Sequence, residues 1–161
     1  MPIKLSPRLE GFNYLGLHRY FLTICTQDRA PVFITDESAA TVLLDLSRTS
    51  QAASFSVVAY CLMPDHIHIL TEGTHPASDF REFVRCFKQC SSFGWKKQTG
   101  SLLWQRSYFE HVLRDDEDTI GVAKYILENP VRAGLVQRPE DHPYLGSMTT
   151  TVRALLYSVQ I

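Results

Sequence analysis

The chain has 161 residues, of which 45% are hydrophobic and 20% charged, a balance typical of a soluble domain with its own core. It has no apolar run near the roughly 20 residues of a membrane helix, and its N-terminus lacks the apolar centre of a signal peptide. The net charge of −1 does not by itself favour nucleic-acid binding. Residues 81–138, however, carry ten Lys or Arg against seven Asp or Glu. We expect one cytoplasmic domain over 1–161, with a core over about 18–138, a C-terminal tail over 139–161 and a basic central face.

Hydrophobic periodicity and turn signals predict seven elements in chain order. They are a strand over 18–26, a helix over about 36–52, strands over 54–62 and 66–73, a helix over 78–93, an extended segment over 102–113 and a helix over 115–129. The first six follow the βαββαβ order of a ferredoxin-like sandwich. We therefore expect an α+β fold in which a four-stranded antiparallel sheet carries two helices on one face, plus a C-terminal helix.

The stretch YCLMPDHIHIL, residues 60–70, places two histidines on the third predicted strand. Because side chains alternate along a strand, His66 and His68 point to one side while Ile67 and Ile69 point into the core. Two neighbouring imidazoles suit a metal ion. Two surface histidines on an exposed sheet face explain the same pattern, so the stretch alone leaves both interpretations open.

The last predicted helix carries a second candidate pair. Tyr125 lies roughly 150° from the centre of the helix's apolar stripe, and Asn129, four residues later, shares its face. A tyrosine and an amide on the face away from the core would serve a site. A surface tyrosine followed by a helix-ending Asn-Pro is the simpler local explanation.

Taken together, the motifs resemble a known family. The segments LMPDHIH, WQR, HVLRDDED and YILENPVRAGLV, in this order, are similar to those of the single-tyrosine transposases of the HUH class, and more narrowly of the REP-associated tyrosine transposases. The resemblance runs from about Tyr20 to about Pro143. Family members usually carry Asn before the first histidine, where this chain has Asp65, which we interpret as a turn substitution because both residues favour turns.

The resemblance implies a specific chemistry. A tyrosine hydroxyl, here that of Tyr125, attacks single-stranded DNA and leaves a 5′-phosphotyrosine and a free 3′-OH. His66, His68 and Asn129 would bind Mg²⁺ or Mn²⁺, and neutral ligands leave the cation's charge for the phosphate. The implied partner is single-stranded DNA with a hairpin or repeat, and relatives act as monomers or as homodimers that exchange the last helix.

The basic central segment supplies the candidate DNA contacts. Tyr108 is a candidate platform for unpaired bases, Trp104 is expected in the core, and the acids at 115–118 are interpreted as a helix start. The predicted phosphate contacts are Arg81, Arg85, Lys88, Arg106, Arg114 and Arg132.

Three alternatives fit part of the pattern. A nucleotide hydrolase with a histidine triad would need a third alternating histidine, where this chain has Leu70. A descendant that only binds DNA hairpins would not need to keep the tyrosine, the histidine pair and the amide together. A structural zinc site would need four ligands, usually cysteines, and the chain has no CxxC spacing.

Overall fold

Within residues 9–158, which the computed structural model describes, five strands form one antiparallel sheet. The first and third strands in the chain are inner strands of this sheet, and they pair with each other over seven residues of the first strand. The sheet order is β4-β1-β3-β2-β5. The strands are β1 (Arg19–Cys25), β2 (Phe55–Met63), β3 (His66–Gly73), β4 (Phe109–Leu113) and β5 (Leu145–Gly146).

Helices cover both faces of this sheet. The two long helices pack together over one face, and the C-terminal helices cover the other. The predicted α+β fold with two helices on one face is confirmed, but the predicted count of four strands is wrong because the chain's last segment adds β5. The helices are α1 (Asp36–Ala52), α2 (Phe80–Thr99), α3 (Thr119–Leu127), α4 (Asn129–Arg132) and α5 (Val152–Leu156).

The alternation of β3 divides the protein into two cores. Ile67 and Ile69 are fully buried beneath α1 and α2, as expected. Leu70 lies on the opposite face, in the smaller core beneath α3 and α5. Each such buried side chain stabilises the fold by about 1.5–3 kcal/mol, so the register of β3 is strongly fixed. His66 and His68 therefore face the C-terminal helices.

The second helix is longer than predicted. We expected it to end at residue 93, but it continues to Thr99. Lys96 and Lys97 lie in its last turn, where positive charge interacts favourably with the helix dipole. The actual stop is Gly100, whose positive φ of 73° gives a left-handed cap.

The predicted extended segment over 102–113 is a strand only in its last five residues, β4. Before β4, the chain crosses the end of β1 and pairs there briefly. Leu103 accepts a backbone hydrogen bond from Gln27 at 2.8 Å, and Gln105 donates one to Cys25 at 2.9 Å. In this connection Leu103 and Trp104 are buried, whereas Leu102 is exposed, and the contact with β1 does not extend into a continuous ladder.

The predicted helix over 115–129 is shorter at both ends. Asp118 is its N-cap and accepts from the Ile120 N–H at 3.0 Å, which confirms that the acids form a helix start. The helix α3 ends at Leu127, and Pro130, which has no backbone N–H to continue the hydrogen-bond ladder of α3, lies in the first turn of the next helix. The short helix α4 then begins at Asn129.

The segment that we expected to be a tail is part of the fold. It pairs with β2 through β5 and places Leu155, which is 3% exposed, in the smaller core. Its last residues, 159–161, and the N-terminal residues 1–8 lie outside the described part of the chain. Between residues 9 and 158, no helix combines the length and the apolar character needed to cross a membrane.

Candidate active site

The two histidines lie side by side on the face of β3 that is covered by the C-terminal helices. Their ring centroids are 4.7 Å apart, so the prediction that they point the same way is confirmed. His68 is 3% exposed, and His66, the first residue of the strand, is half-buried. The pair thus forms the floor of a site that opens towards the start of β3.

Each imidazole has one nitrogen held by a neighbour. The Nδ1 atom of His68 is 2.7 Å from the Thr23 hydroxyl, on the adjacent strand β1. The Nδ1 atom of His66 is 2.7 Å from a carboxylate oxygen of Asp65. Both rings are therefore oriented through Nδ1, the arrangement in which histidines present Nε2 to a metal.

Burial keeps both imidazoles neutral. Loss of solvent, together with the smaller effects of the nearby His66, Arg132 and Arg29, lowers the pKa of His68 from 6.5 to about 3. Loss of solvent also lowers the pKa of His66, against the opposing effect of Asp65. Neutral imidazoles have a lone pair for a metal, so the donor set suits a divalent cation at pH 7.

Tyr125 lies on α3, which packs across the same face of β2 and β3. The ring of Phe21 connects the two groups, since its centroid is 5.4 Å from that of His68 and 6.2 Å from that of Tyr125. The structure thus places the predicted nucleophile and His68 on either side of Phe21, on the same face of the sheet. Phe21 was not predicted as part of this site.

Arg132 belongs to this site. Its guanidinium carbon lies 3.9 Å from the centroid of the Tyr125 ring, and the guanidinium also donates to the Tyr125 carbonyl. A weak ion pair of 3.8 Å to Glu128 completes its surroundings. We predicted Arg132 as a DNA contact on sequence grounds, and this stays a prediction; in the structure its charge lies on the tyrosine ring.

Asn129 is half-buried at the start of α4, four residues after Tyr125 but beyond the end of α3. Its carbonyl accepts from the Ala133 N–H at 2.9 Å. Within residues 9–158, no group of three or more His, Cys, Asp or Glu side chains is placed to bind a metal. A zinc site of those residue types is thus absent from that part of the chain, and a third ligand to the histidine pair would have to be an amide or a group from outside.

A pocket of about 350 Å³ adjoins the tyrosine on the side away from the histidines' strand. On its wall, His111 Nε2 lies 2.9 Å from the Glu117 carboxylate, which also accepts from the Arg114 N–H at 2.8 Å. We assigned His111 no role from the sequence. The pocket is lined by Phe21, His111, Glu117, Asp118, Gly121, Val122 and Tyr125.

The opposite face of the sheet carries a basic groove of about 570 Å³ between α2 and the segment that leads into β4. We call it the α2–β4 groove. It brings together four of the six predicted phosphate contacts and the candidate stacking residue Tyr108. Its lining residues are Arg81, Val84, Arg85, Lys88, Gln89, Ser92, Arg106 and Tyr108.

Several charges of the α2–β4 groove also have structural partners. Arg81 lies 4.4 Å above the Tyr14 ring, and Arg85 pairs with Glu82 on the same helix. Lys88 donates to the carbonyls of residues 105 and 106 at 2.8 and 2.9 Å, and so holds the far wall of the groove. The groove is therefore a preformed basic surface.

Two further residues discussed from the sequence, Arg114 and Trp104, lie outside this groove. Arg114 lies at the end of β4, where its carbonyl accepts from Arg19, so it is not part of the groove lining. Trp104 is 6% exposed and donates to the Ser91 hydroxyl at 2.8 Å, which confirms that it is a core residue.

The chain is similar to a known protein family and to individual known proteins. Residues 15–129 match the family described as IS200-like transposases. A Haemophilus influenzae protein with the provisional name of a REP-associated tyrosine transposase is 34% identical over 169 residues, covering 95% of this chain and 91% of its own. The REP-associated tyrosine transposase of Escherichia coli K12 is 31% identical over 135 residues, covering 81% of this chain and 77% of its own.

A solved structure shares the fold. A REP-associated tyrosine transposase bound to a REP hairpin superposes with a TM-score of 0.68 at 22% identity. The match covers 83% of this chain and 79% of that one. At this identity the likeness is one of fold.

Proposed function

Because the chain belongs to the IS200-like transposases, and among them to the REP-associated tyrosine transposases, we propose that it cleaves and rejoins single-stranded DNA through a phosphotyrosine on Tyr125. The observation that carries this proposal is the shared packing of Tyr125 and His68 on Phe21. It supports a single site with a nucleophile and a candidate metal pair.

The proposed substrate is DNA that combines a hairpin with an unpaired extension. The structural neighbour that binds a REP hairpin supports this choice. The α2–β4 groove supplies positive charge for the phosphates and the Tyr108 ring for stacking. Its four predicted contacts, Arg81, Arg85, Lys88 and Arg106, are proposed to hold the backbone.

His66, His68 and Asn129 are the residues that would hold a divalent cation, Mg²⁺ or Mn²⁺. The fit rests on the two neutral imidazoles, whose Nδ1 atoms are already held by Asp65 and Thr23. When bound, such an ion neutralises the non-bridging oxygens of the scissile phosphate. Neutral ligands would leave its full charge for that purpose.

Tyr125 would act as the nucleophile. Its hydroxyl loses a proton, its oxygen bonds to phosphorus, and the bond from phosphorus to the 3′ oxygen breaks, so that the 3′ oxygen takes up a proton. The Arg132 cation, which lies on the tyrosine ring, would hold this ring in position for attack. The covalent bond conserves the energy of the phosphodiester, so another 3′-OH can reverse the step and join DNA.

We propose that a monomer is sufficient for cleavage. The packing of α3 on β2 and β3 of its own chain supports a site that takes Tyr125 and both histidines from one copy. A homodimer with exchanged helices would place the tyrosine on the partner's sheet. Mixing a Tyr125 variant with a His68 variant distinguishes the two, because only the exchanged dimer regains a complete site.

The test of the function is a covalent-adduct assay. Labelled single-stranded DNA from the flanks of the protein's own gene is incubated with the protein and Mn²⁺, then resolved on a denaturing gel. We expect a metal-dependent adduct that Tyr125→Phe abolishes. The matched control is Tyr157→Phe, which removes the hydroxyl of an exposed tyrosine bound to Glu140.

Three results would contradict parts of the proposal. Cleavage that persists in Tyr125→Phe would indicate a hydrolytic metallonuclease. DNA binding with neither adduct nor cleavage would favour a descendant that only binds hairpins. An adduct that Tyr157→Phe removes equally would transfer the role of nucleophile away from α3.

A further inference from the structure

We propose that Asp65 is a positioning residue that fixes the tautomer of His66, and that Arg29 holds Asp65 in place. The proposal deepens the proposed function, since it concerns how one candidate metal ligand is oriented. The proposal gives Asp65 a role at the site, whereas we interpreted it from the sequence only as a turn substitution.

The carboxylate of Asp65 joins two groups. One oxygen is 2.7 Å from His66 Nδ1, and the other is 3.0 Å from Arg29 Nε. The backbone of Asp65 is fixed as well, because its carbonyl accepts from the N–H of Thr26 at 2.9 Å. The carboxylate therefore has little freedom to leave the imidazole.

Arg29 reaches the carboxylate from a strained loop. Asp28 and Arg29 have φ values of 56° and 54°, in the left-handed region that residues other than glycine seldom adopt. Two such residues in succession need support from their surroundings, and this kind of strain concentrates at functional sites. The loop aims the guanidinium at Asp65 and, at 2.7 Å, at the Cys25 sulfur, whose residue pairs with His66 across the sheet.

A carboxylate at this position differs from an asparagine amide in one decisive way. An ionised carboxylate only accepts hydrogen bonds, so His66 must carry its proton on Nδ1 and present the Nε2 lone pair. An amide can rotate and donate instead, which permits the opposite tautomer. The Thr23 hydroxyl beside His68 can also donate or accept, so His68 provides an internal comparison.

The first test is ¹⁵N NMR of the imidazoles in the metal-free protein at neutral pH. We expect His66 as the Nδ1–H tautomer in the wild type, a mixture in Asp65→Asn, and mainly Nε2–H in Asp65→Ala. Asp65→Asn retains the size and shape of the side chain, so it decides the question if Asp65→Ala does not fold. An unchanged His66 tautomer in Asp65→Asn would overturn the proposal.

The second test is Mn²⁺ affinity by calorimetry. Loss of an outer partner of a metal-binding histidine weakens binding by roughly 10–100-fold. We expect that loss in Asp65→Ala, a smaller loss in Asp65→Asn, and none in the control Glu82→Gln, which disrupts an Arg–carboxylate pair on the other face of the sheet. Equal affinity in all variants would overturn the proposal.

The two tests separate this inference from the proposed function. A wild type that binds no Mn²⁺ would overturn the metal site of the proposed function, while the tautomer measurement would still decide the role of Asp65. Strong Mn²⁺ binding with no effect of Asp65 would leave the function intact and overturn only this inference.

Discussion

Acidification below pH 6.5 should destabilise the metal-free protein through His68. The imidazole is buried and its pKa is lowered to about 3 in the folded state, against 6.5 in an exposed histidine. Below pH 6.5 the unfolded chain therefore binds a proton that the folded chain does not. Stability from this residue is complete above pH 6.5 and falls as the pH drops towards 3.

The size of the effect follows from the two pKa values of His68. One proton of difference changes the unfolding free energy by about 1.4 kcal/mol per pH unit. Between pH 7 and pH 5, His68 alone should remove about 2 kcal/mol, which is a large part of the 5–15 kcal/mol of an ordinary domain. His66, whose pKa is also lowered, adds in the same direction.

The assay is urea unfolding with a chelator present, at several pH values between 5 and 7. The buried Trp104 provides the fluorescence signal. The variant His68→Gln cannot titrate in this range but retains a donor near Thr23. The difference between its slope of unfolding free energy against pH and that of the wild type therefore gives the contribution of the His68 proton. Equal slopes would refute the argument that burial keeps His68 neutral.

The other predictions concern charge and packing. Arg132→Gln should slow adduct formation by roughly 2- to 30-fold, the range of a cation on an aromatic ring, and an unchanged initial rate on the denaturing gel would contradict its role. Arg106→Gln should reduce the slope of log affinity against log salt for hairpin DNA by about one, as measured by fluorescence anisotropy, whereas the control Arg138→Gln should not. Leu155→Ala should lower the free energy of unfolding in urea by about 2–4 kcal/mol, whereas the exposed control Leu44→Ala should change it by less than about 1 kcal/mol. Equal values would contradict the docking of α5.

The sequence was sufficient for the features that depend on local periodicity. The alternation around Ile67 and Ile69 predicted both the strand and the common direction of the histidines. The order of strands and helices predicted the ferredoxin-like sheet. These features rest on side-chain spacing within one element, which the sequence contains directly.

The partners of the histidines depend on pairing between distant elements. Thr23 meets His68 only because β1 and β3 are antiparallel neighbours in one register. Once that pairing is assumed, alternation along β1 places Phe21 and Thr23 on the histidine face. The sequence therefore contained a weak indication that these two residues lie at the site. The strand β5 has only two residues, too few to show any period.

Two other features depend on backbone geometry that residue patterns do not encode. The strained loop at Asp28 and Arg29 contains no glycine to indicate left-handed geometry. The break between α3 and α4 redirects the chain, so that Arg132 lies on Tyr125. In both cases, tertiary contacts determine where a charged side chain acts.

The edge strand β4 connects the two surfaces of the proposed function. Arg106 and Tyr108 precede it and line the α2–β4 groove on one face, whereas His111 in β4 lines the pocket beside Tyr125 on the other. A hairpin held in the groove would therefore send its unpaired extension around β4 to reach the nucleophile. The thickness of the protein at this edge, set by β4 and the packing of α2 and α3, would then determine how many nucleotides separate the hairpin from the cut.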